Sequence, residues 1–288
     1  MTRVGFIGLG SQGGPMARRV VEHGFPLTVW ARRAESVEPY ADTAVVVAST
    51  PAELGAASDL VGICVVSDAD VEDVLLRSDG VLAGMSPGGI VAIHSTISPA
   101  TCQRLAEAAE ERGVAVVDAP VSGGGEMAAA RQLLVMVGGA DEDVARCRPI
   151  FETFGDPVIH LGPLGSGQLA KLMNNFVFVA QLGIALDTYA FAAGLGIDRA
   201  ALAQVLAHGS GGSRAVATIA SEGFDMTRIC QAIGLPHKDA GITLDIAREA
   251  GADPSDTLVE LVRYALERLE LGHDWEHISE LKESGTIL

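Results

Sequence analysis

From the amino terminus to about residue 160, short apolar runs alternate with amphipathic stretches, the pattern of a parallel sheet flanked by helices. The spacing predicts strands over residues 4–7, 27–30, 44–47, 60–66, 90–94, 114–118, 133–137 and 158–160. Residues 162–168, Gly-Pro-Leu-Gly-Ser-Gly-Gln, break the pattern, and everything after them reads helical, so they mark a turn and a domain boundary. Helices are predicted over 168–194, 198–207, 213–222, 226–232, 236–251, 255–271 and 274–283. The expected fold class is α/β: a doubly wound sheet domain over 1–163, then an all-helical domain over 164–288.

Residues 169–193 are apolar on nearly every face, which predicts a helix buried centrally or packed against another subunit. A homodimer or homotetramer built through the helical domain is the expectation. Asn174, Asn175, Gln181 and Asp187 interrupt the run, so it is read as a soluble core helix rather than a span of about 18 apolar residues, and no membrane partner is expected. Within this segment Lys171 is the one Lys or Arg between Arg148 and Arg199, in a chain with only three lysines, at 171, 238 and 282. A desolvated ammonium needs a ligand or partner to answer it and shifts toward trading protons, which makes Lys171 a catalytic candidate. The competing role is a buried ion pair holding two helices.

Length and charge narrow the classes. At 288 residues two domains are a better prior than one, and 48% hydrophobic with 20% charged residues is a globular composition. A net charge of −17 argues against a nucleic-acid partner, which needs a clustered positive field, and any anionic ligand must be held locally. Cysteines at 64, 102, 147 and 230 are scattered, and the amino terminus lacks the blocks of a signal peptide, so a cytoplasmic protein is expected. His273 and His277 are four apart, but Asp-Trp-Glu between them is not a zinc-binding pattern, so no metal is expected.

Gly8-Leu9-Gly10-Ser11-Gln12-Gly13 follows the first strand and opens a helix, the order a dinucleotide site requires. The first glycine serves the turn, the second lets backbone approach the pyrophosphate, and the third packs helix against strand. The second strand ends in Ala31-Arg32-Arg33, with no carboxylate for the ribose hydroxyls and two guanidinium groups suited to a 2′-phosphate, so NADP is preferred over NAD; Glu35 softens that preference.

Four blocks, in order, carry a resemblance across nearly the whole chain: Gly5 to Gly13 with Met16-Ala17, Asp118-Ala-Pro-Val-Ser-Gly-Gly124, Gly165-Ser-Gly-Gln-Leu-Ala-Lys171-Leu-Met-Asn-Asn175, and Lys238-Asp239. The chain resembles the β-hydroxyacid dehydrogenase family, with 3-hydroxyisobutyrate dehydrogenase, tartronate semialdehyde reductase and glyoxylate/succinic semialdehyde reductases among its members. The resemblance implies a Rossmann domain, a helical domain and a cleft between them. It implies that Lys171 acts on the substrate hydroxyl or carbonyl, that Asn175 orients lysine and substrate, and that Ser122, Gly123 and Gly124 hold a carboxylate. It also implies cofactor contacts from Val65, Val66 and Ser67, from Ser95 and Thr96 beside the nicotinamide, and from Lys238. Residue chemistry agrees: Lys171 and Asn175 are four apart on one helix face, and Ser122-Gly123-Gly124 offers a hydroxyl and close-approaching N–H groups.

Departures from the family pattern are Gln12 for Met, Ser67 for Pro, His94 for an acidic residue, and Arg131-Gln132 for Gly-Thr. The expected activity is NADP-dependent interconversion of a small β-hydroxy carboxylate and its semialdehyde, with Lys171 as general acid and base. Two alternatives are an imine reductase, which usually has Asp or Tyr in place of Lys171, and a non-catalytic NADP-binding scaffold.

Overall fold

The structure is a computed structural model that describes residues 1–231 and 234–270. By contact density the chain divides into two compact units, Met1–Lys171 and Leu172–Leu288. The first opens with β1 (Val4–Ile7), α1 (Gly13–Glu22), β2 (Leu27–Trp30), a 3-10 turn (Ala34–Tyr40), β3 (Val46–Val47), α2 (Pro51–Ala56) and β4 (Leu60–Ile63). It continues with α3 (Asp68–Leu76), α4 (Val81–Gly84), β5 (Ile90–Ile93), α5 (Pro99–Glu110), β6 (Ala115–Asp118), β7 (Val121–Ser122) and α6 (Gly124–Ala129). Then come β8 (Leu133–Val137), α7 (Asp141–Phe151) and β9 (Gly155–His160), before α8 (Ser166–Gly194) leads into the helical unit. There α9 (Arg199–His208), α10 (Arg214–Ser221), α11 (Thr227–Gln231), α12 (Gly234–Ala250) and α13 (Asp256–Glu270) follow.

Six strands form one parallel sheet in the order β3-β2-β1-β4-β5-β6. Alternate strand residues feed two apolar layers: Val4, Phe6, Ile90 and Ala92 join one core, Ile7, Val91 and Ile93 the other. That alternation is why the strands read as near-continuous hydrophobic runs. The order reverses at β1 and β4, so their carboxyl ends form the switch point where such sheets bind ligands.

The last two expected strands do not belong to this sheet. With the short β7 they form a separate three-stranded sheet, β7 antiparallel and β9 parallel to β8. Two residues after Pro120 are too few to show a pattern in the sequence. Strand β4 also ends at Ile63, leaving residues 64–66 as a loop at the switch point.

In the second unit, α8 buries Phe176, Val179 and Ala180 against Ala240, Val262, Ala265 and Leu266. Further along, Leu182, Leu186 and Tyr189 pack with Ala215, Val216, Ile219 and Met226. Asp187 is explained by Tyr264, whose hydroxyl donates to it at 2.6 Å, and by Arg268 at 3.2 Å. Against expectation, α8 is not buried all round, because Met173, Val177, Ile184 and Phe191 are exposed. Its polar interruptions also leave it long and apolar enough to cross a membrane by length and composition, with mean hydropathy 1.6 over a window that is 50% buried in the protein. The expected helix over 274–283 and the pair His273 and His277 lie outside the described residues.

Candidate active site

Gly8 has φ +93° and its backbone faces that of Cys64, where a Cβ would lie 2.0 Å from the carbonyl oxygen. Gly13 makes the same close approach to Gly8, 2.0 Å from its carbonyl oxygen to an added Cβ. These two glycines let β1, β4 and α1 converge. Gly10 differs: an added Cβ meets nothing within 4 Å among the described residues, so the turn is open on that side. Among those residues, too, α1 opens with no side-chain cap and no acidic residue in its first turn, whereas Thr50 caps α2, Ser67 caps α3 and Ser98 caps α5. Gln12 is the N-cap residue just before α1, and its buried Nε2 has no hydrogen-bond partner among the described residues. A positive helix end with unanswered donors and an open glycine fits a pyrophosphate, which would be held by the turn from Gly8 through Leu9, Ser11 and Gln12 to Gly13.

At the end of β2, Ala31 is partly buried and Arg32 and Arg33 are exposed. Arg32 does not stand alone: it forms a close ion pair with Asp70. Asp70 also accepts from the Ser67 backbone N–H at 3.1 Å and hydroxyl at 2.7 Å, completing the capping box of α3. Asp70 is thus a carboxylate delivered beside β2 from a distant segment, and its carboxyl is held below the ordinary range, first by Ser67 and then by Arg32. Arg33 approaches Glu35 at 3.8 Å. Ser67 is brought to this cluster, while Val66 is exposed. The next loop is tied in as well, since Val65 N–H donates to Ser95 Oγ at 2.8 Å. Thr96, beside buried Ser95, is partly buried.

Ser122 pairs with Leu134, and Gly123 (φ +139°) and Gly124 (φ +78°) turn the chain into α6. The following Gly125 lies against the cofactor turn, where a Cβ would sit 2.2 Å from the Ser11 carbonyl oxygen. Packing of α6 on α1 therefore brings the carboxylate block and the glycine turn together.

Lys171 and Asn175 follow one another by a turn on α8. Lys171 is partly buried, which corrects the expectation of a deeply buried ammonium: the exposed stripe of the helix passes beside it, with Leu169 and Met173 on the surface. Asn175 Nδ2 donates to Asp239 Oδ2 at 2.6 Å, and its Oδ1 accepts from Asn174 at 3.0 Å. Asp239 is buried, and its other oxygen faces Lys238 Nζ at 3.4 Å. Asn175 and Lys238 are therefore joined through Asp239, the acidic half of the Lys238-Asp239 block, to which the resemblance assigns no role. Its signal was a carboxylate next to a rare lysine.

His94 is a core residue. Its ring stacks on Phe6 at 5.9 Å and meets Phe151 and Phe154 edge-on, and Nδ1 donates to the Ala119 carbonyl at 2.8 Å. Burial lowers its pKa to about 4 against a weaker opposing hydrogen bond, so it is neutral near pH 7.

Residues 3–162 fit the family described as the NAD binding domain of 6-phosphogluconate dehydrogenase, and residues 165–282 the NAD-binding of NADP-dependent 3-hydroxyisobutyrate dehydrogenase. The chain belongs to the β-hydroxyacid dehydrogenase family. It is an oxidoreductase of the 3-hydroxyisobutyrate dehydrogenase type, acting on CH–OH and binding a nicotinamide dinucleotide. The NAD-dependent L-serine dehydrogenase of Pseudomonas aeruginosa is 36% identical over 217 residues, 75% of this chain and 72% of its own. The solved 3-hydroxyisobutyrate dehydrogenase of Mycobacterium tuberculosis with L-serine superposes with TM-score 0.79 at 28% identity, covering 94% of each chain. Psf3 in complex with NADP+ and 2-OPP gives TM-score 0.81 at 26% identity, covering 93% of each chain.

Proposed function

We propose that this enzyme interconverts a small β-hydroxy carboxylate and its semialdehyde with NADP, using Lys171 as general acid and base. The observation that carries the reading is the placement of Lys171 and Asn175 one turn apart on a helix whose start is bonded to Asp118 of the carboxylate block and, through Gln168, to the segment around Thr96. The nicotinamide, when bound, gives or takes the hydride. In the reducing direction the Lys171 ammonium donates a proton to the carbonyl oxygen and stabilises developing alkoxide charge; in the oxidising direction the neutral amine accepts the hydroxyl proton. Asn175, steadied by Asp239, orients the substrate oxygen. Ser122 supplies a hydroxyl, and Gly123 and Gly124 supply N–H groups to the carboxylate.

Arg32 and Arg33 support NADP, since an exposed guanidinium pair can take a 2′-phosphate; the cofactors named for the two relatives above differ. Lys171→Ala should cost at least ~100-fold in turnover on a panel of small hydroxyacids and semialdehydes, with cofactor binding retained. An unchanged rate rejects the assignment. Replacing both Arg32 and Arg33 should weaken NADP far more than NAD. We also propose a cytoplasmic homodimer or homotetramer, supported by four free cysteines and by the exposed apolar side chains of α8. Light scattering of the parent and of Phe191→Glu tests the assembly, with a monomeric parent refuting it.

A further inference from the structure

The start of α8 is held by two buried polar side chains, Asp118 and Gln168, to which the scheme above gives no chemical role of their own. Asp118, the last residue of β6, is fully buried; its Oδ1 accepts Gly165 N–H at 2.7 Å and its Oδ2 accepts Gln168 N–H at 2.7 Å. A carboxylate here answers the open donors of the first helical turn and the positive end of its dipole. Glycines make room for it. A Cβ on Gly138 would lie 2.3 Å from Oδ1, and one on Gly167 would lie 2.8 Å from Oδ2.

Gln168, also fully buried, carries the linkage onward. Its Oε1 accepts Ile97 N–H at 3.1 Å, and its Nε2 donates to the Ser95 carbonyl at 2.8 Å. One side chain therefore clamps the backbone on both sides of Thr96, while Ser95 Oγ accepts from Val65. Lys171 lies three residues beyond Gln168, about 4.5 Å along the axis, so any shift of this turn moves Lys171 with it. The contacts from β6 through Gln168 to Lys171 all lie within the first unit.

We propose that Gln168, anchored through Asp118, is a positioning residue for hydride and proton transfer: it fixes Lys171 relative to the Ser95–Thr96 segment. The inference rests on the reading of Lys171 as proton donor and acceptor and of that segment as the nicotinamide side of the site. Removing the clamp leaves cofactor binding intact and displaces the proton-transfer group. A displacement of about 1 Å costs up to 100-fold in rate.

The test is a double-mutant cycle of Gln168→Met and Lys171→Ala in the full chain, with kcat, KM and NADP affinity measured for each. Gln168→Met should lower kcat by about 10- to 100-fold with NADP affinity changed less than about threefold, and should have almost no further effect once Lys171 is alanine. A purely structural glutamine would lower the melting temperature and act equally in both backgrounds, which would overturn the proposal. So would a kcat within about twofold of the parent. If Lys171→Ala alone leaves turnover unchanged, the proton-transfer reading itself fails and the positioning role falls with it. Asp118→Asn, which keeps the shape and one acceptor oxygen, enters the same cycle should Gln168→Met not fold.

Discussion

His94 offers a sharp test because its environment fixes both the sign and the size of the effect. The ring is surrounded by Phe6, Phe151 and Phe154 and is neutral in the folded protein, with a pKa of about 4. In the unfolded chain the same imidazole titrates near 6.5. Between those values the unfolded state binds more protons, so the native state loses stability as pH falls from about 6.5 toward 4. Evaluated at pH 4.5, this shift gives a loss of about 2–3 kcal/mol relative to pH 7.5. His94→Phe cannot titrate. At pH 7.5 it loses the hydrogen bond to Ala119 and should be less stable by about 1–3 kcal/mol. On acidification to about pH 4.5 that deficit should shrink by about 2–3 kcal/mol, because only the parent carries the titrating imidazole. Urea unfolding followed by Trp30 fluorescence, in a Trp275→Phe background, reports the first unit, since the chain has two tryptophans. A gap between parent and variant that is the same at both pH values would refute a neutral, desolvated imidazole. The variant should also leave the shape of the kcat profile unchanged between about pH 6 and 8, because a group that titrates near 4 contributes nothing there.

Gly13→Ala would press a Cβ against the Gly8 carbonyl, 2.0 Å away, and should cost about 1–3 kcal/mol of stability while weakening binding of the nicotinamide dinucleotide, measured by calorimetry. Asp70→Asn releases Arg32 from its ion pair and removes a negative charge from the proposed phosphate site; KM for NADP should fall by up to about fivefold with KM for NAD unchanged, and an equal change in both would refute the assignment. Arg131 is held at φ +62°, so Arg131→Gly should relieve strain and raise stability by up to about 1 kcal/mol in thermal unfolding, a destabilised variant refuting the strain.

Sequence alone was enough for the alternation of strands with helices, though it assigned eight strands to one sheet that holds six, and for the glycine turn and the family, because each of these is local: a run of β-branched residues, a turn needing positive φ, a motif of fixed spacing. It also put Lys171 and Asn175 on one helix face, since the period of an α-helix settles that without any neighbour. Tertiary structure decided what those residues meet. Asp70 reaches Arg32 across 38 positions, Asp239 reaches Asn175 across 64, and Gln168 reaches Ser95 across 73. No spacing rule encodes such pairings. The same limit hid the second sheet, whose strand β7 is two residues long, and the half-exposed face of α8, where hydrophobic composition promised burial that the packed neighbours supply on one side only. Burial is a property of what folds against a segment, and one segment's composition does not contain it.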